Sequence, residues 1–233
     1  MASTDKLKDL FLAVAEKACC EYHVCVEPEK CTCPDAYFGT VAKMLDKPVS
    51  VKKGLKLTPG NRIVLVLESP HVDEYKDPVE VWPIQGPSGD NVRAHLRNLL
   101  IDEMYSWGFF VVNAIRYQCS QGLTLSRGFN RSAKNFVVGN LLRDDNFRID
   151  FIERVRQIAD SSQTVVVLNA CTKYIAWNLQ ESNKEMVSRY LGELESIRGK
   201  CFNDVSHPSY WTKEKVPKMR DKFSKFWAAH RGK

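Results

Sequence analysis

Apolar positions divide the chain into two unlike parts. Residues 5–18 carry Leu7, Leu10, Phe11, Val14 and Ala15 at helical spacing, with Ser3 or Thr4 placed to cap the first turn. From 19 to 60 no long period holds, and Cys, Pro, Gly and Lys recur; a short helix is expected near Phe38–Leu45. This predicts an N-terminal extension over residues 1–60 that packs on a core domain spanning 61–233. In that domain three short apolar runs follow: Ile63–Leu67, Phe109–Val112 and Val165–Leu168. Each is too short for a helix and lacks polar alternation, the pattern of a strand buried on both faces. Helical stretches lie between them, near Asn91–Met104 and Asp150–Ala159, and a weaker strand is expected within Lys200–Val205. Last comes an amphipathic basic helix from Lys213 to His230, with Val216, Met219, Phe223, Phe226 and Trp227 on its apolar face. Strands alternating with helices predict an α/β fold of three layers, α/β/α, around a mostly parallel four-stranded sheet.

With 233 residues, 44% hydrophobic and 27% charged, the composition is that of a globular chain able to build its own core. No apolar run approaches the ~18 residues of a membrane span. Residues 1–10 show neither an apolar stretch nor a small-residue cleavage site, so an intracellular chain without membrane contact is expected. The net charge is +6, and Cys201–Lys233, with eight Lys or Arg against three Asp or Glu, carries +5 of it. Such a local basic surface points to a polyanion, nucleic acid first; a solvated helix face is the plainer reading.

Five of the eight cysteines, Cys19, Cys20, Cys25, Cys31 and Cys33, crowd the N-terminal region beside His23. Zinc or an iron–sulfur cluster at Cys20, Cys25, Cys31 and Cys33 is one reading. The paired two-residue spacing of such sites is absent, so free thiols and no cofactor are the expectation. No Walker loop, no Gly-x-Gly-x-x-Gly after a strand and no His-Glu-x-x-His occurs.

In parallel sheets the site lies beyond the carboxyl ends of the strands. Those positions read Glu68-Ser69-Pro70-His71, Asn113-Ala114, Asn169-Ala170-Cys171 and Ser206-His207-Pro208-Ser209. Singly each is an ordinary turn or cap residue. Together they put a carboxylate, two amides and a histidine on one edge. The acidic pair Asp73-Glu74 reads as loop surface and Cys171 as a buried, inert thiol.

In this order the four positions resemble the uracil-DNA glycosylase superfamily. Leu67-Glu68-Ser69-Pro70-His71 resembles its first motif, closest to the Gly-Glu-Ala-Pro-Gly of the iron–sulfur branch. Pro83-Ile84-Gln85-Gly86-Pro87-Ser88-Gly89 is similar to that branch's Pro-Phe-x-Gly-x-x-Gly. Val112-Asn113-Ala114 resembles the base-reading strand end, and His207-Pro208-Ser209 the second catalytic motif. The resemblance spans about Arg62 to Tyr210. It implies a monofunctional DNA glycosylase, acting as a monomer, that flips a damaged or modified base from the stack and hydrolyses its N-glycosidic bond.

In that reading Glu68 orients water and stabilises the sugar cation, and His207 donates to the departing base. Asn113 reads the base edge, with Ser69, His71, Ile84 and Trp82 around it. The helix start at Gly86, Ser88 and Gly89 offers N–H groups to a phosphate. Ser209, Lys213 and Lys215 contact DNA, and Tyr210 or Trp211 is the wedge that fills the gap; simple packing is the alternative for that pair. Leu67 stands where glycine is usual, His71 where the family has Gly or Tyr, and Ile84 where an aromatic ring stacks on uracil. Cys119 is displaced from the cluster-ligand position. By the resemblance uracil is the default base, and the departures at Ile84 and His71 make a bulkier modified pyrimidine, as in viral DNA, the rival, which admits a role in antiviral defence as well as in repair. Two other classes fit the same residues: a nucleic-acid-binding module that has lost catalysis, and a hydrolase of free nucleotides or nucleosides.

Overall fold

The computed structural model describes residues 4–22, 32–52, 57–75, 80–119, 131–173, 181–197 and 199–231. Six helices are found there: α1 (Thr4–Tyr22), α2 (Pro87–Leu99), α3 (Arg131–Arg143), α4 (Asp145–Asp160), α5 (Asn183–Gly192) and α6 (Lys215–His230). The strands are β1 (Ala36–Thr40), β2 (Lys43–Ser50), β3 (Asn61–Leu67), β4 (Gly108–Asn113), β5 (Thr164–Asn169) and β6 (Cys201–Phe202). They form one mixed sheet in the order β2-β1-β4-β3-β5-β6. The α/β class matches the sequence reading, but the sheet has six strands rather than four.

Its parallel part, β4-β3-β5-β6, is made of the four segments the sequence singled out. The three apolar runs are buried on both faces as their composition requires. Ile63, Leu65, Leu67, Phe109, Val111, Val166 and Leu168 pack toward α2 and α6. Val64, Val66, Phe110, Val112, Val165 and Val167 pack toward α1, α3, α4 and α5.

The additional strands come from the segment expected to be irregular. The helix expected near Phe38–Leu45 is instead a β1–β2 hairpin. Its first strand pairs antiparallel with β4, Ala36 opposite Val111 and Tyr37 opposite Phe110. Gly39, at φ 79, supplies a left-handed turn that side chains resist. Charged Lys43, Asp46 and Lys47 with Pro48 then mark β2 as the sheet edge, where Pro loses no ladder hydrogen bond.

Boundaries elsewhere differ by local chemistry. The helix expected over Asn91–Met104 ends at Leu99, and a 3-10 turn follows at Asp102–Ser106. The one expected over Asp150–Ala159 starts earlier because Asp144 caps it, accepting from Asn146 N–H and Phe147 N–H. The Ser3 cap lies outside the described residues, and Thr4 is already helical.

At the carboxyl edge the backbone stays tied beyond the ladder. Ala114 N–H donates to Leu67 O at 2.8 Å, Ile115 N–H to Glu68 O at 3.0 Å and Ala170 N–H to Val66 O at 2.9 Å. Arg154 of α4 locks the end of β4. Its guanidinium donates to the Asn113 and Ala114 carbonyls at 3.0 and 3.2 Å and pairs with Asp35 at 2.6 Å and Asp150 at 2.8 Å. Burial pushes the Asp35 carboxyl up, against the pull of Arg154 and Arg116. Replacing Arg154 with Met strands Asp35 and leaves both carbonyls without this donor. We expect a loss of about 3–5 kcal/mol in urea unfolding, and an unchanged midpoint would show that the clamp carries no load.

Candidate functional site

Glu68 leaves the end of β3 and is only 2% exposed. A carboxylate there survives because four donors surround it. Thr172 gives its hydroxyl and its backbone N–H (3.3 Å) to Oε2. Asn183 Nδ2 donates to Oε1 at 3.1 Å, and Lys134 Nζ lies 3.2 Å from the same oxygen. Burial pushes the carboxyl pKa up, but Lys134, Thr172 and the neighbouring His207 together hold it below the ordinary range. Glu68 is therefore an anion, and its roughly four acceptor positions are filled. That geometry makes it a fixed charge; the water-orienting role implied by the resemblance has no acceptor left to it.

His207 follows β6 in a turn fixed from three sides. Lys184 Nζ donates to Val205 O at 2.5 Å, Asn91 Nδ2 to Pro208 O at 3.0 Å, and Trp211 Nε1 to Ser206 O at 2.8 Å. The ring's Nδ1 accepts from Ser209 N–H at 3.3 Å and lies 2.9 Å from Ser209 Oγ. A backbone N–H can only donate, so in the neutral ring the proton sits on Nε2. Burial pushes the His207 pKa down to about 4, outweighing the attraction of Glu68; Lys134, His71 and Lys184 act in the same direction as burial. The edge thus holds an anion and, within its field, a neutral histidine with one N–H to offer.

Asn113 stands beside Glu68, its backbone paired with Leu67 across the ladder. It is buried, its Nδ2 donates to Cys33 Sγ at 3.8 Å, and its Oδ1 has no partner. Ser69 Oγ and Asn183 Oδ1 are buried without partners as well. Native interiors leave few such atoms, and these three lie around the Glu68 end of β3.

The loop before α2 is wired to the same place. Glu74 accepts from Ile84 N–H at 2.9 Å through Oε1 and from the Cys33 thiol at 3.5 Å through Oε2. Gln85 Nε2 reaches the carbonyls of Glu74 and Glu80. Ile84 has φ 57, a left-handed conformation costly for a β-branched residue. Gly89 closes on it so tightly that a Cβ would stand 1.7 Å from Ile84 O. Glu74, expected at the surface, is 4% exposed; burial pushes its pKa to about 8, so it is a neutral acid at pH 7.

Several sequence expectations change accordingly. Trp211 is in the core, anchoring the His207 turn, so it is no wedge; Tyr210 is 53% exposed. Ile84 is fully buried, while Trp82 is half-buried and lines an open depression with Asp46, Asp73, Gln85, Asp90 and Arg93. At the α2 start Gly89 N–H and Asp90 N–H turn back to Gly86 O, and the Asp73 carboxylate lies against Gly86. These groups do not face a phosphate, and Ser88 alone keeps that expectation. His71, 3.1 Å from Asp73, is partly exposed. Ser209, Lys213 and Lys215 are exposed, and Lys215 sits 5.2 Å above the Tyr210 ring. Asn169 is spent on structure, bonding Lys184 O and Asn203.

Of the cysteine candidates, Cys25 and Cys31 lie outside the described residues, and so does His23. Cys20 is exposed and Cys33 is engaged by Glu74 and Asn113. Among the described residues no three His, Cys, Asp or Glu are grouped to hold a metal ion, and no helix is long and apolar enough to cross a membrane. Cys171 is buried, and burial raises its thiol pKa.

Sequence reasoning missed Lys134, Thr172 and Asn183, and gave Cys33 and Glu74 other roles, a metal ligand and a surface acid. Only Asn183 had a signal, the capping box Ser182-x-x-Glu185 that starts α5. No protein-family model matches the chain. No curated protein and no solved structure matches it either.

Two titrations check this description. By NMR the His207 ring should remain neutral, with the proton on Nε2, from pH 8 down to about 5; charging near the ordinary histidine value would contradict its surroundings. For Glu74 the folded pKa, about 8, exceeds the unfolded value, so the native state holds a proton the unfolded chain has lost. Its contribution to stability is present at low pH and lost as pH rises toward 8. Relative to wild type, Glu74→Gln should gain stability steadily from pH 5 to 8 in urea unfolding. A difference that does not vary with pH would show that Glu74 is ionised in the fold.

Proposed function

We propose that the chain is a DNA N-glycosylase, with the carboxyl edge of β3, β4 and β6 as its active site. The observation that carries this reading is a buried, ionised Glu68, held by Lys134, Thr172 and Asn183, beside a neutral His207 that keeps its Nε2 proton. Cleavage of an N-glycosidic bond moves the bonding electrons onto the base and leaves positive charge at the sugar C1′. A preorganised anion below the sugar favours the cation, and a donor at the base favours the anion leaving with those electrons. Water then adds to C1′ and releases a proton. Glu68 acts through its charge, which Lys134, Thr172 and Asn183 keep from being lost to protonation. Asn113 supplies an open acceptor next to it.

The DNA would lie over the last turn and α6. Lys213, Lys215 and Lys218 are exposed and have no carboxylate partner among the described residues, whereas Arg220, Lys222 and Lys225 pair with Asp102, Asp204 and Asp221. Unpaired cations are the ones that release counterions on binding phosphate. Tyr210, exposed beside Lys215, is the side chain suited to occupy the gap of a flipped nucleotide.

One observation favours a second reading. With its acceptor positions filled, Glu68 holds together β3, α3, α5 and the loop after β5, as a purely structural anion in a binding module would.

Base release separates the two. Oligonucleotides carrying uracil, hypoxanthine, hydroxymethylcytosine, glucosylated hydroxymethylcytosine or no modification are incubated with wild type and Glu68→Gln, then cleaved with alkali. We expect release from at least one modified strand, reduced roughly 10²-fold or more by the substitution, with DNA binding retained. DNA binding without release from any strand would reject catalysis in favour of the binding module.

A further inference from the structure

The ion pair that keeps Glu68 charged is unequal in its exposure. The Glu68 side chain is sealed at 3% exposed, while the Lys134 side chain opposite it keeps 14%. Lys134 stands in the first turn of α3 and extends its Nζ to 3.2 Å from Oε1. Its charge acts on Glu68, His207, Cys119 and Cys171 alike, so the amine lies among the groups of the carboxyl edge and not out on the helix face. Lys184, also near this edge, is 4% exposed and spends its Nζ on Val205 O. Lys213, Lys215 and Lys218 belong to α6 and the turn before it. Among the described residues Lys134 is therefore the amine that touches the anion and also meets solvent. A primary amine in that place can do more than balance a charge, because a neutral amine adds readily to an aldehyde.

We propose that Lys134 is a nucleophile and gives the chain a second activity, cleavage of a DNA strand at an abasic sugar through an imine. The inference rests on the proposed function in placing C1′ beside Glu68, but the abasic sugar can be supplied ready made. That sugar opens to an aldehyde at C1′. The Lys134 ammonium gives one proton to water, and the neutral amine forms a bond from Nζ to C1′. The hydroxyl left on C1′ takes up a proton and departs as water, leaving an iminium whose positive charge Glu68 stabilises as it did the ammonium. The iminium acidifies C2′. In going from ammonium to iminium Nζ falls from three N–H to one, so the Oε1 position it filled opens to receive the C2′ proton. The electrons of that C–H bond become the C2′=C3′ double bond, and the C3′–O bond breaks with its electrons leaving on the phosphate. Water then adds to C1′, releases the unsaturated aldehyde and returns the Lys134 ammonium, while Glu68 passes its proton to solvent.

The probes are oligonucleotides carrying a single abasic site, as single strands and as duplexes, incubated with the full chain. Cyanoborohydride reduces an imine to a stable amine, so the adduct is read on a denaturing gel and its position mapped by mass spectrometry. We expect an adduct on Lys134 and, without the reductant, strand cleavage at the site with no alkali added. Lys134→Arg keeps a cation against Glu68 but supplies no free amine, so adduct and cleavage should both fall roughly tenfold or more. The absence of any adduct, an adduct confined to Lys173 or the lysines of α6, or adduct and cleavage undiminished in Lys134→Arg would overturn the inference. Mapping is done on the unaltered chain, so the test stands even if the variant does not fold. An adduct on Lys134 without base release from any modified strand would leave this inference standing and end the glycosylase reading. Base release without an adduct on abasic DNA would do the reverse.

Discussion

A carboxylate buried at the end of a parallel strand is the constraint around which the rest is arranged. Left alone in that position, Glu68 would take up a proton, because desolvation costs a charged group several kcal/mol. It stays ionised because α3 brings Lys134, α5 brings Asn183 and the loop after β5 brings Thr172 to its two oxygens. Each of those groups would be unpaired in its turn without Glu68. Anion and donors are thus one cooperative unit, and removing any member leaves buried polar atoms behind. This is why elements far apart in sequence meet at one point: residues 68, 134, 172 and 183 have no local reason to be near one another.

The same low-dielectric surroundings have opposite effects on neighbouring groups. They push Glu74 toward its neutral acid, the Lys184 pKa down to about 8 and His207 down to about 4, while Glu68, paired with Lys134, stays ionised. One edge therefore carries a paired anion beside a neutral histidine and a neutral acid. A field of that shape favours positive charge forming close to Glu68, and the Nε2–H of His207 favours negative charge forming some way off. A bond that breaks into a cation and an anion, in that order of position, suits the arrangement better than proton abstraction by Glu68, which has no free lone pair.

The fold and the site were legible in the sequence to different depths, for physical reasons. Ile63–Leu67, Phe109–Val112 and Val165–Leu168 announce strands because burial on both faces demands unbroken apolar runs. The positions after them follow from the rule that parallel strands gather their carboxyl ends. The hairpin was not legible: Lys43–Ser50 is an edge strand with charges and a proline, and edge strands are selected against the pattern that would reveal them. Glu74 looked like surface because Asp73-Glu74 is an acidic pair in a loop, and only the closure of Gly89 onto Ile84 buries it. Trp211 looked free to act as a wedge, but its indole N–H was needed to hold Ser206. Lys134 could not be found at all, since one lysine on an amphipathic helix carries no sign of the carboxylate it meets.

These failures share a cause that bears on how the edge works. Strand ends are set by local apolar patterns, so the residues at them can be read in order along the chain. Their chemical states are set by their partners: Lys134 helps to keep Glu68 an anion, Ser209, two residues on, fixes the His207 tautomer, and Cys33 accepts from Asn113. A motif fixes which side chains stand at the edge, and their contacts, mostly from distant parts of the chain, fix what each can donate or accept. Two chains could share Glu68, Asn113 and His207 at corresponding places and differ in the ligand they take, because the differences lie in the partners of those residues, here 33, 134 and 209. In this chain Lys134 keeps Glu68 an anion and Ser209 leaves His207 one N–H to offer, beside the buried Asn113 amide, and that combination, more than the motif, is what limits the chemistry it can support.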